Sequence, residues 1–114
     1  MKKMIKRYIL TLEELKITRR HPQKDDEFYD GCNCASDCIN DGLDTRIAML
    51  KDFEKDTDTT MAMVEAFLNE FTDNLISALN SCKQNESNLF YQGFNQTVDN
   101  FCDKIKNMLP LNNG

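Results

Sequence analysis

Five cysteines carry most of the chemistry this chain could do, and three of them fall within seven positions. Cys32, Cys34 and Cys38 sit in Gly31-Cys32-Asn33-Cys34-Ala35-Ser36-Asp37-Cys38, with Cys82 and Cys102 far downstream. Thiolates are the ligands of tetrahedral zinc, so Cys32, Cys34 and Cys38 with His21 or another thiol are a candidate metal site. The same thiols can oxidise instead. Disulfides from this stretch to Cys82 and Cys102 are the preferred reading, because closing such loops would contribute roughly 2–4 kcal/mol. Reduced, exposed loop thiols above buried Cys82 and Cys102 are the third reading. The cysteine count is odd, so intramolecular pairing leaves one thiol over, a route to a disulfide-linked homodimer.

Catalytic signatures are thin. None of the four glycines stands in a Gly-x-Gly arrangement, so no phosphate-cradling loop is visible. The single histidine, His21, precedes a proline, and no residue pattern supplies an oxyanion site or an orienting group for a Cys–His nucleophile. The chain is therefore expected to be non-enzymatic and to use no cofactor, zinc being the one candidate. Acidic neighbours such as Asp25 and Asp26 fit a solvated surface.

The elements that must position these residues are helical. Met4, Ile5, Tyr8, Ile9, Leu12 and Leu15 recur at spacings of three and four, which predicts a helix over 3–19, ended by His21-Pro22. Residues 20–42 read as one long, cysteine-bearing connection, with Phe28 and Tyr29 pinning it to the bundle. Asn40-Asp41-Gly42 reads as turn chemistry, with Asp41 or Asp44 capping the next helix. Leu43, Ile47, Leu50 and Phe53 predict a helix over 43–55. Met61, Val64, Phe67, Leu68, Phe71, Leu75, Ala78, Leu79 and Cys82 predict another over 59–82, capped by Asp58, as the centre of the core. The apolar phase runs on between these two, so one continuous helix over 43–82 is the alternative to a break near Asp56 to Thr59. Tyr91, Phe94, Val98, Phe101, Ile105 and Met108 predict the last helix over 88–109, ahead of a tail at 110–114. It starts at Ser87, or at Asn95 if an irregular segment comes first. No strand-like alternation and no internal repeat stands out. The expected fold is all-α: a single domain over 1–114, a compact four-helix bundle with one long cysteine-bearing first connection.

Nineteen acids against fourteen bases give a net charge of −5 and argue against a nucleic-acid or anionic-membrane partner. After Lys2, Lys3, Lys6 and Arg7 the apolar run is too short for a signal peptide, which favours the cytoplasm. The leading expectation is a protein-interaction module, inhibitor or adaptor in type, that binds a larger protein partner. A thiolate metal-binding protein is a further alternative.

Two local resemblances accompany these readings. The Gly-Cys-x-Cys-x-x-x-Cys string resembles the opening of the zinc cluster that precedes histone-methyltransferase catalytic domains. The further cysteines of that cluster are missing, so its function is not carried over. Cys32-Asn33-Cys34 and Asn95-Gln96-Thr97, with a long first connection and an amphipathic last helix, resemble the short-chain four-helix cytokines. That resemblance implies a secreted ligand, stapled by disulfides and glycosylated at Asn85 or Asn95. It sits against a short third connection, which is not the cytokine topology.

Overall fold

The computed structural model describes residues 2–18, 27–56, 58, 60–85 and 88–108. Four helices follow in order: α1 (Lys2–Leu15), α2 (Glu27–Lys55), α3 (Met61–Ser81) and α4 (Leu89–Met108). Among the described residues no strand occurs. The fold is an all-α four-helix bundle whose long axis spans 50 Å.

Successive helices run antiparallel. Asn40 and Lys51 of α2 meet Ile17 and Glu13 beside α1, in reverse order along the two segments. Gly42 of α2 faces Leu75 of α3, while Phe53 further along α2 faces Phe67 earlier on α3. Gln84, just past α3, meets Asn95, and Lys106 at the far end of α4 lines a hollow with Asn69 and Thr72. Thus α2 and α4 run parallel, and they form the most extensive helix–helix interface in the molecule. Their amino-terminal turns project past the carboxy-terminal ends of α1 and α3 as a two-helix tip.

The core follows the helical stripes. Ile5, Leu12 and Leu15 of α1, Ile39, Leu43 and Leu50 of α2, Val64 and Leu75 of α3, and Val98 and Ile105 of α4 are fully buried. Burying such side chains stabilises by about 1.5–3 kcal/mol each, so these stripes hold the bundle together.

Several expectations need correction. The described part of the expected connection over 20–42 is helix: α2 begins at Glu27 and carries Cys32, Cys34 and Cys38. The helix expected over 43–55 is therefore only its second half. Asn40, Asp41 and Gly42 lie mid-helix rather than in a turn, and neither Asp41 nor Asp44 caps anything. First, α1 stops at Leu15 rather than Arg19, because Lys16 already takes a shorter i−3 bond to Glu13 and Ile17 is held by Asn40. Further on, α2 and α3 are separate, as the expected break near Asp56 to Thr59 requires, but the α3 cap is Thr60 rather than Asp58: its hydroxyl accepts from Met63 N at 3.3 Å, while Asp58 donates its own N–H to Asp56. On α3, Met61, Ala78 and Cys82 are exposed, so the core stripe is narrower than expected and α3 is not its centre. The last helix starts near the expected Ser87: Asn88 caps it, accepting from Tyr91 N at 2.9 Å.

Candidate functional site

A helix distributes the cysteine stretch over opposite faces. At 100° per residue, Cys34 and Cys38 share a face one turn apart, while Cys32 points the other way. Cys32 is buried against α4 and donates its thiol to the Gly93 carbonyl at 3.4 Å. Cys34 and Cys38 are exposed. The expected trio of Cys32, Cys34 and Cys38 is therefore not brought together, and His21 lies outside the described residues. Among the described residues no group of three His, Cys, Asp or Glu side chains is placed to hold a metal ion.

Nor is any disulfide formed. All five cysteines are free thiols. Cys102 is buried on α4, and its burial pushes the thiol pKa up. Cys82, just past α3, comes to the same end of the bundle as Cys34 and Cys38 but makes no bond to them. Partial burial, then the charges of Cys34 and Cys82 and a hydrogen bond with Cys34, push the Cys38 thiol pKa up. A raised pKa keeps the thiol protonated at neutral pH and slows its attack on an electrophile.

The buried face of the stretch has a structural use instead. Gly31 of α2 and Gly93 of α4 cross back to back at the tip. A Cβ at Gly31 would fall on the Phe90 carbonyl, and one at Gly93 would fall on the Phe28 carbonyl. Missing Cβ atoms let the two backbones approach to where each Cα–H meets the other helix's carbonyl, a contact worth about 0.5–1 kcal/mol. The reciprocity has a sequence basis. Phe28-Tyr29-Asp30-Gly31-Cys32-Asn33 and Phe90-Tyr91-Gln92-Gly93-Phe94-Asn95 share the pattern Phe-Tyr-x-Gly-x-Asn. An internal repeat is thus present, short and easily overlooked.

A second paired device locks each helical hairpin. Asn40 accepts from Ile17 N at 2.8 Å and donates to Ile17 O at 2.8 Å. In α4, Asn95 accepts from Gln84 N at 3.3 Å and donates to Gln84 O at 2.7 Å. One turn on, Asp44 pairs with Lys16 and Asp99 with Lys83, each at 2.7 Å. Both hairpins therefore use Asn-x-x-x-Asp on one helix to hold a Lys-x dipeptide leaving the other. The amide satisfies backbone groups released where the preceding helix ends, which would otherwise cost about 1–3 kcal/mol when buried. Asn95 is only 5% exposed, so the Asn95-Gln96-Thr97 sequon has no accessible amide to glycosylate.

The open surface lies at the other end, between the second half of α2 and the first half of α3. Phe53, Phe67 and Phe71 form an aromatic row, with ring centroids 5.0 and 5.3 Å apart. Phe71 is buried, whereas Phe53 and Phe67 are half-buried. Met49 on α2 is 44% exposed and Met63 on α3 is 49% exposed. Two adjoining hollows of about 230 and 270 Å³ share Met49. Asp52 and Asp56 line one and Glu70 lines the other, together with Arg46. Arg46 is turned back on its own helix, donating Nη1 to Gly42 O at 3.0 Å, and its buried Nε has no hydrogen-bond partner. Burial lowers its pKa without removing its charge.

Helical spacing explains the groove. Met49, Phe53 and Asp56 recur along one face of α2, and Met63, Phe67, Glu70 and Asn74 along one face of α3. The stripe on α3 implies Met61 and Phe67 as core, and nothing in the sequence marks Met49, Met63 or Glu70. Spacing alone cannot tell a core stripe from the wall of an exposed groove. Among the described residues no helix is long and apolar enough to cross a membrane.

Comparison with protein-family models, with curated proteins and with solved structures finds no match in any of the three.

Proposed function

We propose that this chain is a non-enzymatic helical interaction module that works by binding a larger protein partner, in the manner of an inhibitor or adaptor. The observation that carries this reading is the exposed methionine and phenylalanine groove between α2 and α3. Exposed methionines beside half-buried aromatic rings are costly to leave in water and adapt readily to another surface. The groove's walls are two antiparallel helices already formed before docking, which lowers the entropy lost on binding. The module reading does not depend on the thiols.

The cytokine-like alternative has less support. Its sequon at Asn95 is occupied by the hairpin lock, its cysteines are unpaired, and its helices alternate in direction. The thiolate alternative is left with Cys34, Cys38 and Cys82 at one end of the bundle.

Affinity capture from the native cell, run in parallel with wild type and a Met49→Glu/Met63→Glu variant, tests the reading. A stoichiometric partner retained by wild type and lost by a variant with an unchanged melt supports it. No stoichiometric partner, or one retained equally by both, overturns it.

A further inference from the structure

We infer that the α2–α3 groove selects a basic, amphipathic α-helix of its partner. The inference rests on the interaction-module reading and adds the chemistry of what is bound. Three observations point to it.

The floor is apolar and built at helical intervals. Met49 and Phe53 line the hollows on one wall and Phe67 and Phe71 on the other, each pair spaced four residues, about one turn, apart; the exposed Met63, one turn before Phe67, extends the second wall beyond them. A helix laid in the groove meets such walls with residues at i, i+3 or i+4, and i+7. Unbranched methionine lets the fit vary without large cost.

The rim is acidic. Asp52, Asp56 and Glu70 border the two hollows against a single cation, Arg46, which is drawn back onto Gly42. Lysine or arginine flanking the apolar stripe of an incoming helix would meet complementary charge on both sides. Charge of this kind sets partner choice and association rate more than total affinity.

The molecule also sorts its charges by face. The groove between α1 and α2 is rimmed by Lys6, Lys51 and Lys55 with one acid, Glu54, over Ile9 and the 59% exposed Leu10. A basic helix is repelled there and attracted to the α2–α3 face, although both faces offer apolar surface. Net acidity spread evenly would not discriminate between them.

The test is an NMR titration of the full chain carrying labelled methionine methyls. One probe is a synthetic helix of about five turns, with leucine on one face and lysine on the others. The second has the same composition in scrambled order, and the third has glutamate in place of lysine. The expected result is that the amphipathic lysine peptide shifts the Met49 and Met63 methyls and binds about ten-fold tighter than the scrambled peptide. Asp52→Asn/Asp56→Asn/Glu70→Gln should weaken it about ten-fold while leaving the melt unchanged. Equal binding of the scrambled peptide would reduce the effect to net charge and overturn the inference. So would equal binding of the glutamate peptide, or shifts absent from Met49 and Met63. If the inference fails while Met49→Glu/Met63→Glu still loses the native partner, the groove binds something other than a basic helix. Loss of neither signal removes the interaction-module reading as well.

Discussion

The two ends of α2 solve opposite problems with the same helix. At its start, Gly31 presses backbone to backbone against α4, and Cys32, Asn33, Ala35 and Ser36 are all buried. At its end, Met49 is 44% exposed and Phe53 only half-buried, although α3 runs alongside. Small residues close the first interface and large ones fail to close the second. Size and burial are thus inverted relative to the usual expectation that large apolar side chains mark the core. The lesson is that a tight interface is made by removing atoms between backbones, and that large apolar side chains can leave a groove open; that open surface is what the proposed interaction would use.

The comparison breaks most sharply at the glycines. Gly31→Ala/Gly93→Ala places two methyl groups onto backbone carbonyls that have no rotamer in which to escape. Each overpacking is expected to cost up to about 3 kcal/mol, and the pair about 5 kcal/mol, enough to abolish a cooperative melt near room temperature. Circular-dichroism melts of both singles and the double would read this. A double variant within 1 kcal/mol of wild type would mean that α2 and α4 do not cross at these residues.

Phe71 marks the boundary between the two regimes. It lines the groove, yet it is only 4% exposed and packs on Phe67. Phe71→Ala is expected to destabilise by about 3–5 kcal/mol, whereas Met49→Glu and Met63→Glu on the same face should stay within about 0.5 kcal/mol. Urea unfolding of the three variants sharpens the comparison. If Phe71→Ala were as mild as the methionine variants, the whole face would be surface and the groove would have no structural floor.

How much of this was legible in the sequence depended on residue size. The stripes of Ile5, Tyr8, Ile9 and Leu12, and of Phe94, Val98, Phe101 and Ile105, are long, apolar and periodic, and they lie buried as their spacing implied. The first half of α2 hid because two of its successive periodic positions, Cys32 and Ala35, are small. Phe28, Cys32, Ala35, Ile39 and Leu43 continue the phase of Leu43, Ile47 and Leu50 backwards without a slip. Glycine, asparagine and serine between them lower helix propensity, and here close packing against α4 outweighs it. The repeated Phe-Tyr-x-Gly-x-Asn was a visible sign that 28–33 and 90–95 share one role. The hairpin locks are hidden in the sequence for another reason. Asn40 and Asn95 look like a turn residue and a cap or sequon, because local sequence offers asparagine those partners first. Their actual partners, Ile17 and Gln84, belong to other segments and become visible only when the helices pack.

The thiols give a comparison that leaves stability unchanged. In native protein at neutral pH, Cys34, Cys38 and Cys82 are expected to react with an aromatic disulfide reagent, and Cys32 and Cys102 only after denaturant is added. Because the Cys38 pKa is raised in the fold, its alkylation should gain speed at higher pH than that of a cysteine in the unfolded chain. The sign for stability follows. A thiol held protonated by the fold contributes nothing adverse below the unfolded pKa, and stability declines as pH rises through it towards the folded value. Five reactive thiols without denaturant would open the tip that Cys32 helps to close; a single thiol after denaturation, or none in a disulfide-linked dimer, would restore the disulfide reading.

The smallest effect is the most discriminating. Gly42 is also mid-helix on α2, but a Cβ there would meet only side-chain ends: the Leu75 Cδ1 methyl at 2.9 Å and, at ordinary contact distance, Arg46 Nη1 at 3.7 Å. A leucine tip can rotate away; a carbonyl cannot. Alanine at an interior helical position is worth roughly 0.5–1 kcal/mol over glycine. Gly42→Ala is therefore expected to stabilise by a few tenths of a kcal/mol, after about half of that gain goes into moving Leu75. The sign alone decides the matter in a thermal melt. Destabilisation comparable to Gly93→Ala would place α3 as close to α2 as α4 is. The contrast between a closed amino-terminal interface and an open carboxy-terminal groove would then not hold.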